Sequence, residues 1–301
     1  GALVTSREFR IVLDKSGGVH WVQSVHRAWL ERSRSMRRPF SLARWKQRLN
    51  PLHAVILRLE RKHFEARRYR RIIATTPIVR TDLNRLYGVP ESDVEIIPNG
   101  FAPEEFNPRR REENRPTIRQ RLGLRPDQIA LLFAANELDR KGYPTILAAM
   151  RELNCPDLRL LVVGRTDMKR VRQLASDAGV GSQVIACGPT SEIWAYHAAA
   201  DLFVLPTQYE AFSLAIIESL GSGLPVVTSR VPGAGDAIID GVNGALVSDP
   251  RDGSELASVL RPLLDPDRRL AITRQTADTV REYQWPVLLA RYEQILLQNC
   301  N

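Results

Sequence analysis

The sequence predicts an α/β chain built on parallel sheets, and three features carry that expectation. From residue 129 onward, short apolar runs alternate with segments of helical spacing at a regular pitch, the signature of β-α-β units. A shorter stretch of the same kind occupies residues 70–100. Between them, "FNPRRREENRPTIRQRLGLRPDQ" (106–128) is polar, charged and proline-bearing, and reads as the linker between two α/β domains.

In chain order, "FRIVL" (9–13) reads as a strand and "KSGGVH" (15–20) as a Gly-Gly loop after it. Were that the first loop of the domain, the strands expected between it and residue 70 would be missing, and about a hundred residues is a short allowance for a domain. The first domain, residues 1–107, is therefore expected to lack its first βα units. "RRIIATTPIVRTDLNRLYGV" (70–89) is a strand followed by a helix, and "VEIIPNG" (94–100) is a strand ending in a turn signal. After the 108–128 linker, the second domain, 129–301, carries strands at "IALLFAAN" (129–136), "LRLLVVG" (158–164), "QVIACG" (183–188), "DLFVLPT" (201–207) and "PVVTS" (225–229). The intervening "YPTILAAMRELN", "MKRVRQLASDAG", "SEIWAYHAAA" and "SLAIIESLGSG" have helical spacing, several closed by glycine or asparagine, as helix ends often are. Beyond residue 250 only helices are expected. This is a doubly wound Rossmann-type pattern, whose ligands bind at the carboxyl ends of the strands and at helix amino termini.

Across 301 residues, 44% are hydrophobic, enough for packed cores rather than disorder. A formal charge of +9 and a pI near 9.9 favour an anionic partner: nucleic acid, a phosphorylated metabolite or an acidic membrane face. Three cysteines without a C-x-x-C pair suggest neither a disulfide framework nor a zinc site and fit a reducing cytosol. No apolar run approaches the roughly 18 residues of a spanning helix, and "GALVTSREFR" lacks the apolar core of a secretory signal. The expected protein is soluble and cytoplasmic, or peripheral on the inner face of a membrane. From His26 to Pro51 the chain sets Arg27, Arg32, Arg34, Arg37, Arg38, Arg44, Lys46 and Arg48 against the single acid Glu31, with Trp29, Leu30, Met36, Phe40, Leu42, Trp45 and Leu49 interleaved. That mixture suits an anionic bilayer surface; it equally describes a solvated basic helix pair.

The chemistry concentrates in "YEAFSLAIIESLGSGLPVV" (209–227). A helix beginning near Ser213 presents unpaired amides and a partial positive charge, which favour a phosphate. Glu210 lies just before it and Glu218 within it, eight positions on. Carboxylates beside a phosphate would repel it, so both are better aimed at hydroxyls of an attached sugar or ribose.

The segment "YEAFSLAIIESLGSGLPVVTSRVPGAGDAIIDGVNGALV" resembles the E-x7-E block of the retaining family-4 glycosyltransferases, enzymes of the GT-B fold in which two Rossmann domains close over a nucleotide sugar. "AAADLFVLPT", "VEIIPNGFAPEEFNP" and "LLFAANELDRKGYPTILAAM" are similar to its other blocks, in the family's order, over most of residues 60–250. The resemblance implies that Arg140 and Lys141 clamp the donor diphosphate, where paired cations stabilise the departing charge without a metal. It implies further that Glu218 takes the ribose hydroxyls, that Glu210 holds the transferred hexose, and that Phe212, Ser213 and Leu214 line the diphosphate site, with the 213 and 214 amides as donors. Serine stands at 213 where the family has glycine. Base contacts would come from "CGPTSE" (187–192), including Thr190, with either a UDP- or a GDP-linked donor. His26 either matches the histidine that the family carries after a strand of its first domain or simply opens the basic helix. The basic 26–51 region, followed by "LNPLHAVILRLERKHFEARRYRRIIATT", is similar to the branch with lipopolysaccharide core glucosyltransferases, which implies a saccharide or lipid-linked acceptor.

The expected function is thus metal-independent transfer of a hexose from a nucleotide diphosphate sugar to a hydroxyl, with no separate cofactor. Alternatives are a UDP-sugar epimerase of the same fold and a non-enzymatic basic protein that binds nucleic acid. The last is disfavoured because the positive charge lies apart from any recognition motif. "DPD" (265–267) has metal-binding D-x-D spacing but falls between helices and reads as a cap. His53, His63 and His197 sit in helical patterns without a partner at ligand spacing and read as structural.

Overall fold

A computed structural model of the chain describes residues 2–6, 9–13, 18–36 and 49–299. They divide into one unit of Gly1–Asn99 with Pro286–Asn301 and a second of Gly100–Trp285.

The first unit holds a sheet of β1 (Ala2–Ser6), β2 (Phe9–Leu13), β3 (Val19–Val22), β4 (Arg71–Ala74) and β5 (Val94–Ile96), in that order. β1 and β2 form an antiparallel hairpin and β2 runs antiparallel to β3, whereas β3, β4 and β5 are parallel. Parallel neighbours require a crossover, and α1 (His26–Met36) and α2 (Pro51–Phe64) lie in the one between β3 and β4. α3 (Pro77–Tyr87) serves β4 and β5 and ends on Gly88 in the left-handed region. Val22, Phe64, Ile72, Ala74 and Leu83 are buried together. Glu60 of α2 is buried, and its carboxyl accepts from the His26 and Arg27 amides at 2.6 and 3.2 Å and from the Tyr87 hydroxyl at 2.6 Å. The acid thus sits on the positive pole of α1. Only "FRIVL" of the first three strands was legible; β1 and β3 are short runs in which serine, histidine or tryptophan interrupts the apolar pattern.

The second unit begins with α4 (Pro108–Arg121). Its sheet contains β6 (Ile129–Ala134), β7 (Leu158–Val163), β8 (Val184–Gly188), β9 (Leu202–Leu205), β10 (Val226–Ser229) and β11 (Gly244–Val247), all parallel, in the order β11-β10-β9-β6-β7-β8. The five expected strands are all present. β11, a strand of four residues that begins on the last glycine of the turn-rich "DGVNG", was not expected. α5 (Tyr143–Leu153), α6 (Met168–Asp177), α7 (Ile193–Ala199) and α8 (Leu214–Gly221) make the crossovers, followed by α9 (Gly253–Leu260), α10 (Pro266–Thr276) and α11 (Trp285–Asn299). Leu131, Leu132, Phe133, Phe203 and Val204 are fully buried, as strands covered on both faces must be. From β6 the chain winds outward through β7 and β8, then returns to β9 and winds the other way. The reversal falls between β6 and β9, where doubly wound sheets open a ligand crevice at their carboxyl edge.

Two boundaries differ from expectation. Residues 108–121, read as linker, form a helix of the second unit, because its arginines have partners there that composition does not show. Arg111, Arg115 and Arg119, spaced four apart on one face of α4, donate to the carbonyls of Ala198, Ala199 and Ala200 at the end of α7. The last helix groups with the first unit: Arg291 donates to the Ile96 carbonyl at 2.9 Å, Arg70 to the Asn299 carbonyl at 2.9 Å, and Trp21 meets Tyr292 edge-on at 6.3 Å. Among the described residues no helix is long and apolar enough to cross a membrane.

Asp201, at the amino edge of β9, joins these parts. Its carboxylate accepts from the Ala130 amide at 2.8 Å, Arg115 at 2.6 Å and Arg119 at 3.2 Å, while its own amide donates to the Ala130 carbonyl at 2.7 Å. Removing one partner of a buried ionic cluster strands the other charges. Asp201→Ala is expected to cost about 3–5 kcal/mol of stability, measured as a lower midpoint in urea with an unchanged slope.

Candidate active site

At the carboxyl end of β6 the segment 135–142 carries Arg140 and Lys141, and at the end of β9 the segment 206–213 carries Glu210. These two segments flank the switch point and touch. Gly142 has φ +84°, and a Cβ there would lie 2.2 Å from the Pro206 carbonyl oxygen. Only glycine combines that backbone with so close an approach, so "KGYP" sets Lys141 against the β9 loop. The Gln208 amide donates to the Arg140 carbonyl at 2.9 Å, fixing the contact from the other side.

Arg140 donates through Nη1 to the Tyr209 carbonyl at 2.6 Å and through Nε and Nη2 to Glu137 at 3.0 and 2.8 Å. Lys141 forms an ion pair with Glu210. Both of its side chains are largely withdrawn from water, 14% and 13% exposed, where a pair is stronger than at a surface. The sequence expectation placed a cation on the diphosphate and an acid on the sugar. The structure brings these two side chains together, 69 positions apart in the chain.

Ser213 is the N-cap residue of α8 and is buried, but its amide already donates to the Gly233 carbonyl at 3.1 Å. The expected 213 amide donor is therefore occupied, because the 231–235 turn packs on the loop: Gly233 has φ +79° and a Cβ there would meet the Glu210 carbonyl oxygen at 2.5 Å. The first-turn amides from Leu214 onward are those a helix leaves without intrahelical acceptors. Leu214 itself is exposed, and Phe212 is half-buried against Tyr283 at 6.3 Å.

Glu218 lies one turn into α8, half-buried, with no hydrogen-bond or ion-pair partner for its carboxyl among the described residues. Burial, with the Glu105 carboxylate nearby as a smaller effect, pushes its pKa up to about 7. A buried carboxyl with a pKa raised in this way is a candidate for a functional site. Glu105 sits in "FAPEEFNP"; its sequence position gave no sign that the chain folds it against α8. Thr190, after β8, is exposed and its hydroxyl accepts from the Glu192 amide at 2.9 Å.

His26 belongs to the first unit, at the start of α1. Its ring is buried, 2% exposed, stacked on Trp29 at 5.5 Å, with Nε2 3.0 Å from His53 Nδ1. Burial and His53 lower its pKa to about 4, so it is neutral at physiological pH. A second pair joins His63 Nε2 to His20 Nδ1 at 2.9 Å. Neither pairing shows in sequence spacing, because each joins α2 to an element more than two dozen residues earlier. His197 is fully buried and its Nε2 lies 3.3 Å from the Ser219 hydroxyl. Of the basic stretch proposed to meet a membrane, Arg37, Arg38, Phe40, Leu42, Arg44, Trp45, Lys46 and Arg48 lie outside the described residues. Arg32 makes a two-pronged bond to Asp82 at 2.7 and 3.0 Å, Arg27 pairs with Glu31 at 3.6 Å, and Trp29 packs on His26 and His53. These three side chains are therefore engaged within the unit. Residues 265–267 cap α10, whose N-cap Asp265 accepts from the Arg268 amide at 2.9 Å.

Comparison with known proteins bears on the family and the fold. A model described as "Glycosyl transferases group 1" matches residues 114–279, and one described as "Glycosyltransferase Family 4" matches residues 8–105. The chain is 34% identical over 222 residues to D-inositol 3-phosphate glycosyltransferase 1 of Catenulispora acidiphila, covering 69% of this chain and 52% of that one. It therefore spans about half the length of the curated relatives it matches. The crystal structure of WaaG, a glycosyltransferase involved in lipopolysaccharide biosynthesis, superposes with a TM-score of 0.79 at 24% identity, over 94% of this chain and 76% of that one. Anabaena Alr3699/HepE in complex with UDP and glucose gives 0.70 at 20% identity, over 84% and 68%. At these identities the structures establish the likeness of fold.

The Glu218 shift has a testable sign. A carboxyl whose folded pKa lies above its unfolded value contributes stability at low pH that is lost as pH rises through about 7. Glu218→Gln, which cannot ionise, should melt higher than the wild type at pH 8, with the difference closing towards pH 5. A pH-independent difference would remove the assigned ionisation.

Proposed function

The chain belongs to the group 1 glycosyl transferases, of the GT-B fold, and on that premise we propose that it transfers a hexose, with retention, from a nucleotide diphosphate sugar to a hydroxyl of a saccharide or lipid-linked acceptor, without a metal. The observation that carries the reading is the Lys141–Glu210 contact at the β6/β9 switch point, with α8 beginning beside it.

In this reading Arg140 and Lys141 exchange their present carboxylate partners for the donor's diphosphate. Freed from Lys141, Glu210 accepts hydroxyls of the hexose, so one displacement both grips the leaving group and orients the sugar. Glu218 accepts the ribose hydroxyls, which favour its ionised form. Phe212 and the first-turn amides of α8 line the diphosphate, and Thr190 borders the base of a UDP- or GDP-linked donor. In the transfer, the bond from the anomeric carbon to the diphosphate oxygen breaks, and the acceptor oxygen bonds to the same face. Its proton passes to the departing phosphate oxygen. Charge then accumulates on the diphosphate, where the two cations stabilise it more than in the ground state. The acceptor reading is supported by the likeness to WaaG, which is involved in lipopolysaccharide biosynthesis, and a polyol phosphate by the likeness to the D-inositol 3-phosphate glycosyltransferase of Catenulispora. His26, buried and neutral, would serve as a hydrogen-bonding group on the acceptor side.

Lys141→Ala and Glu218→Ala should each reduce transfer at least about a hundredfold while the fold survives, Lys141→Ala melting lower than the wild type because it leaves the Glu210 carboxylate without its ion-pair partner. Thermal-shift screening of UDP, GDP and ADP, then of their glucose, mannose and N-acetylglucosamine conjugates, identifies the donor. Near-normal transfer by both variants would remove the site assignment.

A further inference from the structure

The second unit carries a cluster of cations at the edge of its sheet opposite the site above. A hollow of about 290 Å³ is lined by Arg111 and Arg115 of α4, Asp201 at the start of β9, and Arg269, Leu270 and Thr273 of α10. Arg119 completes the group from behind, 3.2 Å from Asp201, with its other donors on the Arg125 and Gln128 carbonyls. The charges do not balance. Asp201 is the one carboxylate bonded to Arg115 and Arg119, and Arg269 stands 3.9 Å from it. The carbonyls of Ala198 to Ala200 add the negative pole of α7, about half a charge, and Glu112 acts on Arg111 only as a weaker, more distant acid. Against these the cluster sets four guanidiniums, those of Arg111, Arg115, Arg119 and Arg269, so positive charge remains in excess. Arg111 shows the strain: its Nε is buried without a partner, and burial with repulsion from Arg115 lowers its pKa to about 10.

We propose that this hollow binds a small phosphate-bearing anion, either inorganic phosphate or the phosphate group of a phosphorylated metabolite. Guanidiniums match phosphate oxygens in geometry and keep their charge at any physiological pH. The Thr273 hydroxyl is the remaining polar side chain of the lining and can donate to an oxygen of the same ion. The volume is at the small end of ligand pockets, which begin near 300 Å³, so it suits a phosphate with at most a modest attached group. A dianion there would relieve the repulsion among Arg111, Arg115 and Arg269 and tighten α4, α10 and the amino end of β9 together. The site is separate from the donor site, since Asp201 opens β9 and Glu210 follows its far end.

The test is the melting midpoint of the full chain, titrated with inorganic phosphate against chloride at matched ionic strength, with and without saturating UDP. The expected result is a saturable rise specific to phosphate that persists in the presence of UDP. Thr273→Glu, which places a carboxylate inside the hollow, should weaken the phosphate response at least about tenfold through like-charge repulsion while keeping the response to UDP. Arg269→Gln, which removes one cation, is a second variant expected to lose the phosphate response should Thr273→Glu fail to fold. A tighter response to a hexose 6-phosphate than to phosphate assigns the site to a phosphorylated metabolite, and the reverse order to the free ion. No phosphate-specific rise, a rise abolished by UDP, or an undiminished rise in a folded variant would overturn the proposal.

Discussion

The architecture of the second unit depends on the seam between β6 and β9. Residues Leu131 and Leu132 pair with Leu202 and Phe203 there, and the winding of the sheet changes direction at that line. A parallel sheet can close such a seam at one end and must leave it open at the other, because the connecting segments diverge to opposite faces. In this chain Asp201, fastened to Ala130 through both its amide and its carboxylate, closes the amino end. The divergence at the carboxyl end brings the Arg140–Lys141 turn against the Glu210 loop.

Electrostatics differ at the two ends for a related reason. Towards the carboxyl edge the cations are matched: Arg140 by Glu137, Lys141 by Glu210. Under the proposed function, an anion arriving there meets charges already engaged and displaces carboxylates that turn to the sugar's hydroxyls. That requirement favours a ligand carrying both phosphate and sugar over phosphate alone. Glu218 adds a further condition to that proposal, since burial and the Glu105 carboxylate raise its pKa to about 7.

Much of this was legible in the sequence where local pattern and tertiary role coincide. The five strands of the second unit are uninterrupted apolar runs because both faces are covered, and the E-x7-E spacing survives as a loop acid followed by a helix acid. What could not be read depended on partners distant in the chain. Ser213 looks like a free N-cap amide until the Gly233 turn is seen to occupy it. The arginines of 108–121 looked like solvated linker because their acceptors, the carbonyls ending α7, lie some eighty residues onward. Their four-residue spacing was the available signal. In the first unit, the histidine pairs and the Glu60 carboxyl on α1 arise from packing between α1, β3 and α2, which no short window contains.

The grouping of the last helix with the first unit bears on the order in which the polypeptide can acquire its structure as it leaves the ribosome. The middle of the chain, Gly100–Trp285, is a compact unit that is contiguous in sequence and can fold once it has emerged. The earlier segment cannot be completed at that stage, because the carbonyl of Ile96 and the ring of Trp21 await Arg291 and Tyr292. Domains made first ordinarily finish first. Here the vectorial order is inverted, and the nascent amino-terminal sheet must remain incompletely covered while roughly two hundred further residues are synthesised.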